Sequence, residues 1–186
     1  MTKILQIVFS FLVLFFGLTT NNQQLFATGK VVQLTDAPNF VLQDVDGKTV
    51  RLDSLVKKGP ALMSFWALWC KMCIKELDAL KPYYPELESL KVSYLAISQD
   101  KSRSIPEVKP FALSHKWKYQ IVLDPDNKMR DLYKVQVMPS FFIIDQNKKI
   151  VFTHQGYKPG DEKKIMEKVR GLLKSCKECE KCETGK

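Results

Sequence analysis

Cys70 and Cys73 are the side chains of this sequence best suited to chemistry, two residues apart in Trp69-Cys70-Lys71-Met72-Cys73. Such a pair can hold a disulfide when a helix begins at the second cysteine, because one helical turn brings the Cα atoms within bridging distance. A thiolate at the start of that helix is stabilised by unpaired N–H groups and the helix dipole. Cys70 is therefore expected to be the exposed, attacking sulfur, and Cys73, one turn inward, the one that resolves a mixed disulfide. An inert bridge is the weaker alternative, since so short a loop removes little entropy from the unfolded chain. A zinc site needs further ligands, and neither His115 nor His154 stands at a suggestive spacing. No metal and no other cofactor is expected.

The elements around the pair are those that would position it. Ala61 to Trp66 is an apolar run suited to a central strand covered on both faces. Cys73, Leu77, Leu80, Tyr84 and Leu87 recur at intervals of four and three, the face of a helix that should kink or split at Pro82 and Pro85. Upstream, Phe40–Leu42 and Val50–Leu52 flank Asp46-Gly47, a hairpin signal, and Asp53 or Ser54 is placed to cap a short helical turn. Downstream, Val92 to Ser98 reads as a parallel neighbour of the first strand. Ser104 to Lys116 reads as a helix with Phe111 and Leu113 turned inward, Tyr119 to Leu123 as a strand, and Asn127 to Tyr133 as a brief helix. Ser140–Ile144 and Lys149–Phe152 form a second hairpin. Ile165, Val169, Leu172 and Leu173 give one apolar face to a last helix, expected to end near Leu173 and Lys174.

Strand, Cys-x-x-Cys, helix is the context that makes the motif a redox signature. Ala61 to Glu76 resembles the active-site segment of the thioredoxin superfamily, in particular its TlpA/ResA-like branch, and the resemblance extends over about residues 36–174. It implies an α/β thioredoxin-like fold, a central mixed sheet flanked by helices, with an N-terminal β-hairpin and an inserted segment between Ser98 and Asp124. It also implies that Met138-Pro139 is the cis-proline loop that pairs with a bound polypeptide. Trp69, Met138 and Pro139 are thus expected to bind substrate. Glu76, one turn beyond Cys73, corresponds to a glutamate that moves protons, and Ser64 stands where thioredoxins carry a buried aspartate. Lys71-Met72 departs from the branch, which more often has a proline before the second cysteine.

With 186 residues, 45% of them hydrophobic, the chain can bury one sizeable core. Residues 1–27 read as a signal peptide or membrane anchor: Lys3, then an apolar run from Ile4 to Leu18. That run is short against the roughly 20 residues that span a bilayer. Residues 28–35 read as a linker, 36–174 as the thioredoxin-like domain, and 175–186 as a charged tail with Cys176, Cys179 and Cys182. Those three cysteines could bind a soft metal, relay electrons, or form one bridge and leave a free thiol. The net charge of +9 suits anionic membrane surfaces or acidic partners. Because the basic residues are spread rather than interleaved with aromatics, nucleic acid is not an expected partner. Together these features point to an extracytoplasmic protein, in the periplasm or on the outer face of the cytoplasmic membrane. The expected activity is a thiol-disulfide oxidoreductase acting on exported proteins, with apocytochrome c and cytochrome c biogenesis suggested by the resemblance, and re-reduced by a membrane electron donor. A copper-handling module using Cys70, Cys73, Met72 and Met138 is the alternative. The Pro-x-x-x-Thr-x-x-Cys pattern of peroxidases is absent around Cys70.

Overall fold

The computed structural model describes residues 35–183, with side chains through Lys174. The readings of residues 1–27 and of the linker before Thr35 lie outside the described residues, as do the side chains of Cys176, Cys179 and Cys182.

The chain runs β1 (Thr35–Asp36), β2 (Val41–Asp44), β3 (Thr49–Arg51), α1 (Leu52–Val56), β4 (Ala61–Trp66), α2 (Lys71–Leu80), a 3₁₀ turn at Lys81–Tyr83 and α3 (Tyr84–Ser89). It continues through β5 (Ser93–Ser98), α4 (Ile105–Ser114), β6 (Gln120–Leu123), α5 (Lys128–Leu132), β7 (Ser140–Ile144), β8 (Lys149–Gln155) and α6 (Asp161–Glu183). Among the described residues, one sheet holds the eight strands in the order β1-β8-β7-β4-β5-β6-β2-β3. β4, β5 and β6 are parallel, and the remaining pairings are antiparallel. This is the mixed, helix-flanked sheet of the thioredoxin-like fold, with the first hairpin extending one edge beyond β6.

Side-chain alternation divides the core. Leu62 and Trp66 of β4 point to the face covered by α2, α4 and α6, where they meet Leu77, Leu80, Val108, Ile165 and Met166. Ala61, Met63 and Phe65 point to the other face and meet Leu52, Leu55 and Met129 from α1 and α5. Every residue of β4 is buried, which is why the segment reads as a continuous apolar run. Ser64 is the exception in chemistry, and it lies on the α2 face of that strand.

Several local expectations change. Thr35 is not linker but opens β1, in which Thr35 and Asp36 pair with Ile150 and Lys149. Neither Asp53 nor Ser54 caps α1; the N-cap is Arg51, two residues before Asp53, and Asp53 instead accepts hydrogen bonds from Asn39 and Lys148. Leu113 is 64% exposed, because Val108 and Ala112 set the inner face of α4 and Leu113 lies one residue, about 100°, further round. Phe111 does turn inward, stacking on Trp66 at 6.0 Å between ring centroids. The last helix passes Leu173 and continues to Glu183, since Lys174 to Glu183 contains no glycine or proline to stop it. The break expected at Pro82 and Pro85 is present: the 3₁₀ turn carries Pro82, and Pro85 opens α3 where no backbone donor is needed.

Gly59 sits where the turn before β4 crosses the turn before β5. A Cβ there would run into the backbone carbonyl of Lys91, which cannot swing aside as a side-chain end could. Gly59→Ala is expected to lower stability by about 1–3 kcal/mol, the usual range for overpacking. Urea unfolding checks this, and an unchanged midpoint would mean the two turns separate freely.

Candidate active site

Beyond Trp66 the chain leaves the sheet in a turn that two contacts hold. The N–H of Cys70 donates to the Ala67 carbonyl at 2.9 Å. The N–H of Leu68 donates to both carboxylate oxygens of Asp100, at 3.0 and 3.2 Å, and the Ser98 hydroxyl donates to the same carboxylate at 2.9 Å. Asp100 is buried, and this burial holds its carboxyl above the ordinary carboxylate range. The turn thus delivers Cys70 to the N-cap position of α2.

Cys70 and Cys73 are joined as a disulfide with Cα atoms 5.3 Å apart. The Cys70 sulfur accepts the N–H of Cys73 at 3.3 Å, one of the donors that a helix start leaves unpaired. Cys70 is 8% exposed and Cys73 is fully buried. The order matches the expected roles, but Cys70 is far more covered than expected. Its N-cap conformation folds the sulfur back over the first turn of α2 instead of outward.

Exposure is found instead in the apolar neighbours. Trp69, Met72 and Val137 are all large, apolar and well exposed, and Met138 is half-buried. The Met138–Pro139 peptide bond is cis. Pro139 is buried, and its carbonyl accepts the N–H of Gly156 at 2.8 Å. Met72, Met138 and Pro139 line one wall of a cleft of about 450 Å³, with Tyr157, Lys158 and Lys164 among the residues opposite. Trp69, Met138 and Pro139 therefore share this end of the molecule with the two cysteines.

Glu76 is fully buried one turn beyond Cys73, on the same face of α2. Its Oε1 accepts a short hydrogen bond from the Ser64 hydroxyl, while Oε2 is buried without a partner. Burial pushes the carboxyl up to about 7; the Ser64 bond opposes this, and the charge of Asp161 adds to it. Asp161 is itself held down at about 2, chiefly by the hydrogen bond from Lys164, so it is ionised wherever Glu76 titrates. The Tyr94 phenol, buried on the same face of the sheet, is raised well above its ordinary range by burial first and by the Glu76 charge second.

Sequence reasoning missed Asp100 and Asp161, and it gave His154 no part in the site. Asp100 follows the carboxyl end of β5, where parallel strands present their binding residues, and that position is the signal that would have found it. His154 of β8 and Asp161 of α6, whose side chains meet at 3.1 Å, line the cleft beside Met138. Nothing local marks them. Among the described residues, no group of three or more His, Cys, Asp or Glu side chains is arranged to hold a metal ion. No described helix is long and apolar enough to cross a membrane.

Residues 34–153 match the model of the AhpC/TSA family. The thiol-disulfide oxidoreductase ResA of Bacillus subtilis (strain 168) is 33% identical over 135 residues, 73% of this chain and 74% of that protein. ResA of Bacillus anthracis is 33% identical over 130 residues, covering 69% of this chain and 73% of the relative. Among solved structures, an uncharacterised thioredoxin-like protein from Porphyromonas gingivalis superposes with a TM-score of 0.62 at 33% identity, over 74% of this chain and 92% of that one. A thiol:disulfide interchange protein DsbE from Chlorobium tepidum superposes with a TM-score of 0.68 at 23% identity, over 75% and 96%, and shows the shared fold.

Proposed function

The chain belongs to the AhpC/TSA family and is a thioredoxin-like thiol-disulfide oxidoreductase; from that premise we propose that it reduces disulfides of exported proteins by cycling Cys70 and Cys73. The observation that carries this reading is the Cys70–Cys73 pair at the start of α2, with Cys70 the less buried of the two and exposed apolar side chains beside it. In the reduced protein the Cys70 thiolate attacks one sulfur of a substrate disulfide. The substrate S–S bond breaks, a mixed disulfide forms, and the departing substrate thiolate takes up a proton. Cys73 then attacks the Cys70 sulfur, closes the 70–73 disulfide and releases the second substrate thiol. Two electrons pass to the substrate, and a dithiol partner in the membrane restores them. Glu76 takes the Cys73 proton as that thiol becomes a nucleophile, with Oε2 free to carry it. Trp69, Met138 and the cis Pro139 hold the substrate chain, supported by the place of Met138 and Pro139 in the cleft lining and by the exposure of Trp69 next to Cys70. The sequence features of residues 1–27 support an extracytoplasmic location, attached to the membrane by its N-terminal segment, and apocytochrome c as a substrate class follows from the resemblance to ResA-like proteins.

The direction of electron flow is tested by equilibrating the protein against glutathione or dithiothreitol, read by tryptophan fluorescence from Trp66 and Trp69. A reductant should show a potential near that of thioredoxin, about −270 mV, and a value close to about −120 mV would reverse the assignment. Lys71 is exposed and screened by solvent, so it is expected to favour the thiolate only modestly. Cu(I) titration beside an insulin-reduction assay separates this reading from copper handling: tight stoichiometric copper binding without insulin reduction would favour the latter.

A further inference from the structure

The end of the sheet opposite the disulfide carries a feature that thiol exchange does not use. β4, β5 and β6 all begin there, since Ala61 pairs with Ser93 and Leu95 with Gln120. The turns leading into these strands enclose an open cavity of about 800 Å³. Lys57 and Lys58 precede β4, Lys91 precedes β5 and Lys118 precedes β6; all four line the cavity and all four are exposed. Glu88 is the one acidic residue on its wall, and Tyr84 supplies an aromatic flank. None of the four lysines takes part in an ion pair among the described residues, whereas Lys148 and Lys149 are paired with Asp53 and Asp36. Four unneutralised ammonium groups around one concavity repel one another, and an anionic surface would relieve that repulsion.

β1 also ends near this pole, running toward it antiparallel to β8. Asp36 of β1 lies opposite Lys149, Ile150 lies opposite Ile144, and Ile144 lies opposite Ala61 at the start of β4. The apolar run Ile4–Leu18 is 15 residues, short of a full span, and a weak apolar anchor holds stably when a basic patch adds a second signal.

We propose that the pole where β4, β5 and β6 begin is a docking face for an anionic phospholipid bilayer, with Lys57, Lys58, Lys91 and Lys118 as its headgroup-binding residues. Six residues of β4 separate the poles by about 20 Å, beyond the Debye length of about 8–10 Å, so the docked domain presents Cys70 away from the membrane, toward its substrates. The inference rests on the N-terminal attachment proposed above. The test uses the full chain reconstituted in vesicles of phosphatidylcholine alone or mixed with phosphatidylglycerol, treated with a membrane-impermeant amine reagent and mapped by peptide mass spectrometry. With phosphatidylglycerol, the four lysines should react about fivefold more slowly, as expected for a lysine held at an anionic surface. Lys71 and Lys75 beside the disulfide should be unchanged, and raised salt should remove the difference. Equal rates in both lipids, with the chain still vesicle-bound, would overturn the docking face while leaving the attachment standing. A chain that fails to sediment with either vesicle would overturn both. The same protection from inorganic phosphate without vesicles would assign a free-anion site and overturn the bilayer reading.

Discussion

Cys70→Ser is expected to bring insulin reduction down to the uncatalysed background, while Cys73→Ser traps a covalent adduct with a protein disulfide. The asymmetry follows from accessibility. Cys73 is fully enclosed by the core, so an incoming disulfide can reach only Cys70. Without Cys70 no mixed disulfide forms. Without Cys73 the mixed disulfide forms but has no internal thiol to displace it. The stabilising contact for the attacking thiolate is already present, because the Cys73 N–H points at the Cys70 sulfur and α2 begins there. In the reduced wild type, a small alkylating agent at mildly acidic pH should label Cys70 well before Cys73. Non-reducing gels and peptide mapping read both results. Equal labelling of the two thiols in folded protein, or no adduct with Cys73→Ser, would remove the division of roles.

Glu76→Gln is expected to slow thiol exchange on the order of 10²-fold, the lower end of what a positioned acid–base group contributes. It should also remove an inflection near pH 7 from the rate profile, because the wild-type carboxyl titrates at about 7. The same shift predicts a stability signature of definite sign. The folded-state value lies above the ordinary 4.5, so the unfolded chain loses this proton first as pH rises. The contribution of neutral Glu76 is therefore fully present below about pH 4.5 and is lost between there and pH 7, a change of about 3 kcal/mol at most. Glutamine cannot ionise, so the stability of Glu76→Gln relative to wild type should improve across that window and level off above it. Urea midpoints at pH 4, 6 and 8 would test this. A constant difference between the two proteins at all three pH values would place the titration on another group, and an unchanged rate profile would return Glu76 to a packing role.

Much of the arrangement was legible residue by residue. Cys-x-x-Cys after an apolar run and before a 3–4 spaced face announces its own strand, turn and helix, because each signal is local and periodic. Asp46-Gly47 and the second hairpin are local in the same way, and they form as expected. Leu113 misled because an apolar residue in a helix reveals its direction only relative to its inward neighbours, here Val108 and Ala112. Glu76 was visible as a candidate, but a glutamate one turn from a cysteine is equally compatible with solvent.

The sequence by itself determined the reactive pair, the helix that activates it, the alternation of strands and helices, and the basic excess. Those properties depend on residues within a few positions of one another or on composition alone. Tertiary structure decided the rest. It buried Glu76 against Ser64, twelve residues away on β4, and so moved its proton affinity toward neutrality. It brought Asp100 across 32 residues to hold the turn before Cys70, and it set the Met138–Pro139 bond cis beside the cleft. It gathered lysines from three separate turns around one cavity at the far pole. Burial, desolvation and the summed field of distant charges depend on which elements pack together, and no local pattern of residues encodes that.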